Sequence, residues 1–256
     1  SSGELTVRLD PSLAAGMRDG LSYLEHYIYE CTEQTVSRFL PNILTYQAMQ
    51  RLGLRNAELE AKLPNLVREG VQRLANQQHS DGGWGWWPDN QSNPHVSAYV
   101  VFGLHKAKEA GYDIDGDVLN MGLAYLAGLI KPADELTSTA LANQQAWLLY
   151  VLTEAGRSQS TQLNELFEAR DKLSSYARAY LAMALHTSDA NGNDERIKTL
   201  LSDLNNAAIL SATGAHWEEE QFDPWGMNTD TRSTAIILAA FTQIDPENQL
   251  NPNIVR

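Results

Sequence analysis

The chain has 256 residues, 43% of them hydrophobic and 20% charged, with a formal net charge of −13. This composition is globular rather than disordered, and an acidic chain with scattered Lys and Arg does not suit nucleic acid or an anionic membrane surface, both of which need a basic patch. Cys31 is the only cysteine, which excludes an intramolecular disulfide and cysteine-rich zinc sites.

In chain order, the opening Glu4–Leu9 ("ELTVRL") alternates like a strand. Asp10-Pro11-Ser12 is a helix start signal, and Leu13 to Tyr27 carries apolar residues at helical spacing. A second helix is expected from Glu33 to Leu52, kinked at Pro41 and ended by Gly53. Leu66 to Gln78 is amphipathic, whereas His95 to Ala110 is more apolar and is closed by Gly111. Helical patterns follow from Asp117, from Glu135 (closed by Gly156), over Thr161–Leu173 and over Ser174–His186. Asp194 to Asn206 is again amphipathic, Ala207 to Glu220 reads as strand-like, and Thr231 to Phe241 is almost wholly apolar. None of these apolar runs approaches the ~18–20 residues of a membrane span. "DIDGD" (Asp113–Asp117) hints at calcium, but Gly116 is misplaced for an EF-hand loop. Helix capping fits it better. With no metal-ligand set, P-loop or dinucleotide fingerprint in the sequence, no cofactor is expected.

Helices with one wet face thus alternate with helices that are apolar nearly all round, and the latter must be buried on most sides. The pattern also repeats. "DGGWGWWPDNQSNPHVSAYVV" from Asp81 resembles "TGAHWEEEQFDPWGMNTDTRSTAIIL" from Thr213. In each, a wet helix leads to a Gly-containing turn, a Trp (Trp84 or Trp217), a polar loop, and small residues opening a buried helix. Self-similarity at about 40–50 residues, one helix pair per unit, signals a repeat architecture. The expected fold is all-α, an alpha/alpha toroid of inner and outer helices with a short N-terminal strand. Its loops resemble those of terpene cyclases and protein prenyltransferases, a likeness of fold that does not carry their chemistry. About ten helices are visible against about twelve in a closed toroid, so the last pair is expected to be missing. The inner helices should be those opening at Glu33, His95, Glu135, Ser174 and Thr231.

Cys31 lies in "YECTEQT" (Tyr29–Thr35). A lone cysteine can be a structural thiol packed as a small hydrophobe, but Glu30, Thr32, Glu33, Gln34 and Thr35 place this one off any apolar stripe. Either Cys31 or Thr32 can cap the helix that follows. Residues three apart in a first turn lie side by side, so the sulfur can reach the side-chain carbonyl of Gln34. A helix N-terminus favours thiolate and stabilises an oxyanion. Attack of the thiolate on the Gln34 amide would expel ammonia and leave an internal thioester.

Cys-x-Glu-Gln resembles the thioester motif of the alpha-2-macroglobulin and complement family. The flanks "CTEQTVSRFLPN" (Cys31–Asn42), "LDPSLAAGMRDGLSYL" and "HSDGGWGWW" resemble the bacterial alpha-2-macroglobulins over essentially the whole chain. The resemblance implies the same toroid, as the thioester domain of a larger protein. Residues 1–10 would come from a neighbouring beta domain and 11–256 would form a C-terminally truncated thioester domain. It implies a protease trap and not an enzyme. Cys31 would carry the acyl group, Gln34 would donate it and Glu33 would support the motif, with lysine amines of target proteases as acceptors. It places the parent in the periplasm, often lipid-anchored, in contact with its own further domains.

The family usually has Gly before the cysteine, where this chain has Glu30. A carboxylate there should oppose thiolate formation. Trp84, Trp86 and Trp87, with Tyr27 and Tyr29, are either core or a shield that keeps water from the bond. In the complement branch a downstream His on an inner helix takes up the acyl group and passes it to hydroxyls. Here that place offers Asn143, which would favour amines, with His95 as a rival candidate; either can equally be a helix-end polar residue. The alternative functions are a carbohydrate- or isoprenoid-active toroid enzyme using acids such as Asp223 and Asp230, and a binding module that has lost its thioester. Carboxylates converging on the toroid mouth would favour the enzyme.

Overall fold

A computed structural model describes residues 30–189, 192, 194–212, 214–219, 222–223 and 226–255. The expected strand Glu4–Leu9, the helix from Leu13, the domain boundary at residue 10, and Tyr27 and Tyr29 lie outside these residues. The described helices are α1 (Thr32–Arg51), α2 (Ala57–Gln77), α3 (Pro94–Glu109), α4 (Gly116–Gly128), α5 (Thr139–Glu154), α6 (Ser160–Glu168), α7 (Ser175–Ser188), α8 (Glu195–Asn206), α9 (Asp230–Ile244) and α10 (Asn251–Ile254). A two-stranded antiparallel ribbon, β1 (Ile209–Leu210) with β2 (Ala215–His216), lies within the stretch read as strand-like.

The odd-numbered helices pack successively, α1 on α3, α3 on α5, α5 on α7 and α7 on α9. Each even-numbered helix packs outside one or two of them. Burial follows the same division. Eleven of 16 residues of α5 and nine of 14 of α7 are buried, against five of 21 on α2 and three of 12 on α8. The inner helices are the five that the sequence pattern singles out, and the architecture is an all-α toroid.

Two local expectations shift. The inner helix expected from Glu135 begins at Thr139, because a 3-10 turn takes up Ala133–Glu135 and Ser138 caps α5 by accepting from the Leu141 N–H at 3.3 Å. Helix α2 starts nine residues before the amphipathic run at Leu66, at a cap where Asn56 Oδ1 accepts from Leu59 N–H at 3.1 Å. Helix α1 runs from Thr32 to Arg51 with Pro41 inside it, as the sequence pattern places it. "DIDGD" is a cap: Asp115 Oδ1 accepts from the Asp117 N–H at 2.8 Å and opens α4.

The Trp repeat is a structural equivalence. Trp84 and Trp217 are fully buried. Each donates its indole N–H at 2.8 Å to a carbonyl near the end of the preceding outer helix, Leu74 of α2 and Leu204 of α8. Each backbone N–H donates to a hydroxyl on the following inner helix, Ser97 and Thr234. The indole therefore ties one outer helix to the next inner one in both units.

Helix α1 is set deep in this frame. Phe39 and Val36 are fully buried, and a Cβ at Gly70 of α2 would lie 2.6 Å from Phe39 while one at Gly103 of α3 would lie 2.7 Å from Val36. Only glycine admits so close an approach, and it fixes the position of the helix that begins at Cys31.

Candidate functional site

Cys31 is the N-cap of α1, with extended backbone at φ −70° and ψ 171°. It is 7% exposed. Gln34, the third residue of the helix, folds its side chain back so that Oε1 accepts from the Cys31 N–H at 3.1 Å. The pair forms a reciprocal capping box, with a thiol where serine or threonine is usual. The Cys31 carbonyl accepts from the Thr35 N–H at 2.9 Å and from its hydroxyl at 3.0 Å. The cysteine backbone is thereby held on both sides, and the Gln34 carbonyl is polarised by a backbone donor.

The Trp-rich loop closes over this turn. Thr32 N–H, one of the orphan donors of the helix start, donates to the Trp86 carbonyl at 3.0 Å. The three tryptophans expected to act together divide their tasks. Trp84 is core, the Trp86 ring packs partly buried against the core and lines a cavity, and Trp87 is 47% exposed. The loop turns at Gly82, whose φ is +89° and where a Cβ would stand 2.4 Å from the Met121 carbonyl oxygen. No other residue type fits there without moving α4.

The cavity, about 450 Å³, lies on the toroid axis and is lined by all five inner helices. Its walls include Trp86, Phe102, Trp147, Tyr150 and Tyr180, of which the last four stack or tilt against one another with ring centroids 4.8–6.0 Å apart. Glu33 is the one carboxylate among its described lining residues. Its Oε1 accepts from Ser37 Oγ at 2.6 Å, and Ser37 in turn meets the Tyr99 hydroxyl at 3.1 Å. Burial pushes the Tyr99 hydroxyl up to about 12, and the Glu33 charge adds to that.

The two candidates for tuning acyl transfer part company. His95, in the first turn of α3, lines the axial cavity with Glu33. Burial lowers its pKa against the pull of Asp223, and Arg232 lowers it further. Asn143 lies in α5, 1% exposed. Its amide N–H donates to Ser174 Oγ at 3.0 Å, and its Oδ1 accepts from the Ser174 N–H at 3.0 Å. It thus caps α7 from a neighbouring inner helix and does not line the axial cavity.

Asp223 and Asp230 do not line the cavity either. Asp223 donates its N–H to Asn228 Oδ1, and Asp230 accepts from the Glu219 N–H. The Asp223 carboxyl is buried, and its charge acts on His95 and Tyr176.

Glu30 could not be placed from sequence. Its carboxylate is paired with Arg38 of α1 and Arg73 of α2. Arg73 Nη2 also donates to the Glu30 backbone carbonyl at 2.6 Å. The residue preceding Cys31 is therefore charge-compensated by two guanidinium groups.

A family model described as "A-macroglobulin TED domain" matches residues 6–136, about half of the chain. The alpha-2-macroglobulin of Escherichia coli K12 is 32% identical over 196 residues, covering 72% of this chain and 12% of that protein. The alpha-2-macroglobulin of Thermotoga maritima is 35% identical over 120 residues, covering 47% of this chain and 7% of that protein. The crystal structure of Salmonella alpha-2-macroglobulin reacted with methylamine superposes with a TM-score of 0.73 at 22% identity, covering 96% of this chain and 16% of that one. The chain thus spans a small part of the length of each relative, and the structural likeness concerns the fold. With the toroid, the capped cysteine–glutamine turn and the family match together, the chain belongs to the A-macroglobulin TED-domain family.

Proposed function

We propose that this chain is the thioester-bearing domain of a bacterial alpha-2-macroglobulin-like protease inhibitor, with Cys31 and Gln34 as the thioester pair. The observation that carries this reading is the side chain of Gln34 folded onto Cys31 at a buried helix N-terminus, its carbonyl oxygen on the Cys31 N–H. In the forming step the Cys31 thiol gives up its proton and the sulfur attacks Cδ of Gln34. The charge on Oε1 develops against the Cys31 N–H and the positive end of α1. The C–N bond breaks, ammonia leaves with the thiol proton, and a Cδ–Sγ bond remains.

In the trapping step a lysine amine of a protease attacks the same carbon. The C–S bond breaks, the thiolate takes the amine proton, and an amide links the two proteins. The event occurs once, so the domain acts as a reactive trap and not as an enzyme. Glu33 supports the first turn as an acid at the positive helix end. The parent is expected in the periplasm with its further domains covering this face. The described residues include no helix long and apolar enough to cross a membrane.

Peptide mass mapping of the full-length parent tests the reading. Intact protein should lack the mass of ammonia over the Cys31–Gln34 peptide and resist iodoacetamide at Cys31. Methylamine should add at Gln34 and free the thiol, and Cys31→Ala should abolish both. A labelled Cys31 and no methylamine adduct in folded parent would refute the thioester and leave a binding module.

A further inference from the structure

The Glu30–Cys31 peptide unit is held at both ends. Its N–H points at Gln34 Oε1, 3.1 Å away, and its carbonyl oxygen accepts from Arg73 Nη2 at 2.6 Å. Arg73 comes from α2, 43 residues down the chain, and its other terminal nitrogen meets the Glu30 carboxylate. A cation on a peptide carbonyl draws electron density through the amide and makes the N–H of the same unit a better donor, since hydrogen bonds in a chain polarise one another. Arg38 differs. It meets only the Glu30 carboxylate, not the carbonyl.

We infer that Arg73 is a positioning residue for acyl transfer, fixing and polarising the Glu30–Cys31 peptide so that its N–H receives the oxyanion on Gln34. This deepens the proposed thioester reading and rests on it. The same oxyanion forms when the thioester is made and when an amine opens it, so Arg73 acts in both steps. It touches neither reacting atom and works through the peptide. Its pairing with the carboxylate also compensates the negative charge of the residue preceding Cys31, a task that Arg38 shares.

The test compares two arginines that make the same ion pair. In the full-length parent, Arg73→Gln and Arg38→Gln each remove one partner of the Glu30 carboxylate, but only Arg73→Gln removes the carbonyl bond. Thermal midpoints report the structural cost, and methylamine incorporation followed by mass reports acyl transfer. Arg73→Gln should slow incorporation by about tenfold or more, the scale of one charge-assisted hydrogen bond, while Arg38→Gln changes it by less than about threefold at a similar midpoint. Arg73→Lys, which keeps the cation but can reach only one of the two oxygens, should restore part of the rate. Equal rates in the two Gln variants at equal folded fraction would overturn the inference and leave the thioester standing. If Arg73→Gln does not fold, Arg73→Lys set against Arg38→Gln makes the comparison: a slower Lys variant supports the role and an equal one overturns it. Wild-type parent without ammonia loss sinks the thioester and this role together.

Discussion

Replacing Asn143 distinguishes a structural amide from one that selects the acyl acceptor. Asn143→Ala removes two hydrogen bonds to Ser174, one to its hydroxyl and one from its backbone N–H. Each ordinary hydrogen bond contributes about 0.5–1.5 kcal/mol, and a buried donor left without a partner costs about 1–3 kcal/mol. Ser174 is the N-cap of α7 and its own side chain does not cap that helix, while the Glu219 carboxylate accepts from the Tyr176 N–H in the first turn. We expect Asn143→Ala to destabilise the domain by about 2–4 kcal/mol. Asn143→Asp keeps an acceptor for the Ser174 N–H and puts a charge at a positive helix end, so it should cost less, about 0–2 kcal/mol. Equilibrium urea denaturation at constant slope measures both. The partition of the thioester between amine and hydroxyl acceptors, assayed with methylamine against glycerol in the full-length parent, should not change in either variant. A cost below about 0.5 kcal/mol for Ala, or a shift of that partition, would refute the capping role and return Asn143 to the reactive site.

Trp84→Phe and Trp217→Phe each strand one buried carbonyl, Leu74 or Leu204, so each should cost about 2–4 kcal/mol by urea denaturation. Unequal costs would show that the two units are not equivalent. Gly82→Ala meets both a left-handed φ and the Met121 carbonyl, and should cost about 2–5 kcal/mol and loosen the Trp86 loop. Faster alkylation of Cys31 by iodoacetamide should accompany it. Burial depresses the His95 pKa below its ordinary value, so the unfolded chain binds the proton more tightly. Its contribution to stability is fully present above the unfolded pKa of about 6.5 and is lost as pH falls through the folded value. Asp223 and Arg232 act on it with opposite signs, and Glu33 shares the cavity. His95→Gln should therefore flatten the loss of stability between about pH 7.5 and about pH 5, and an unchanged slope would count against the burial account.

Local patterns carried the helices, the ring and the Cys31–Gln34 turn. Apolar spacing distinguished α5 and α7 from α2 and α8 because a helix's period is fixed by its own backbone. Trp84 and Trp217 were legible as equivalents because each is defined by the turn around it. Cys31 and Gln34 were legible because three residues in a first turn define their own geometry. Contacts between distant elements were not legible. Asn143 reads in sequence either as an acyl-tuning residue or as a helix-end polar residue, and only the fold shows its amide meeting Ser174, 31 residues away. Glu30 reads in sequence as a charge opposing the thiol, and only the fold supplies Arg38 and Arg73 to compensate it. The sequence by itself determined what repeats along the chain and what lies within one helical turn. The tertiary structure alone decided which side chains from other helices meet at Cys31, because a long-range pairing leaves no period for sequence to display.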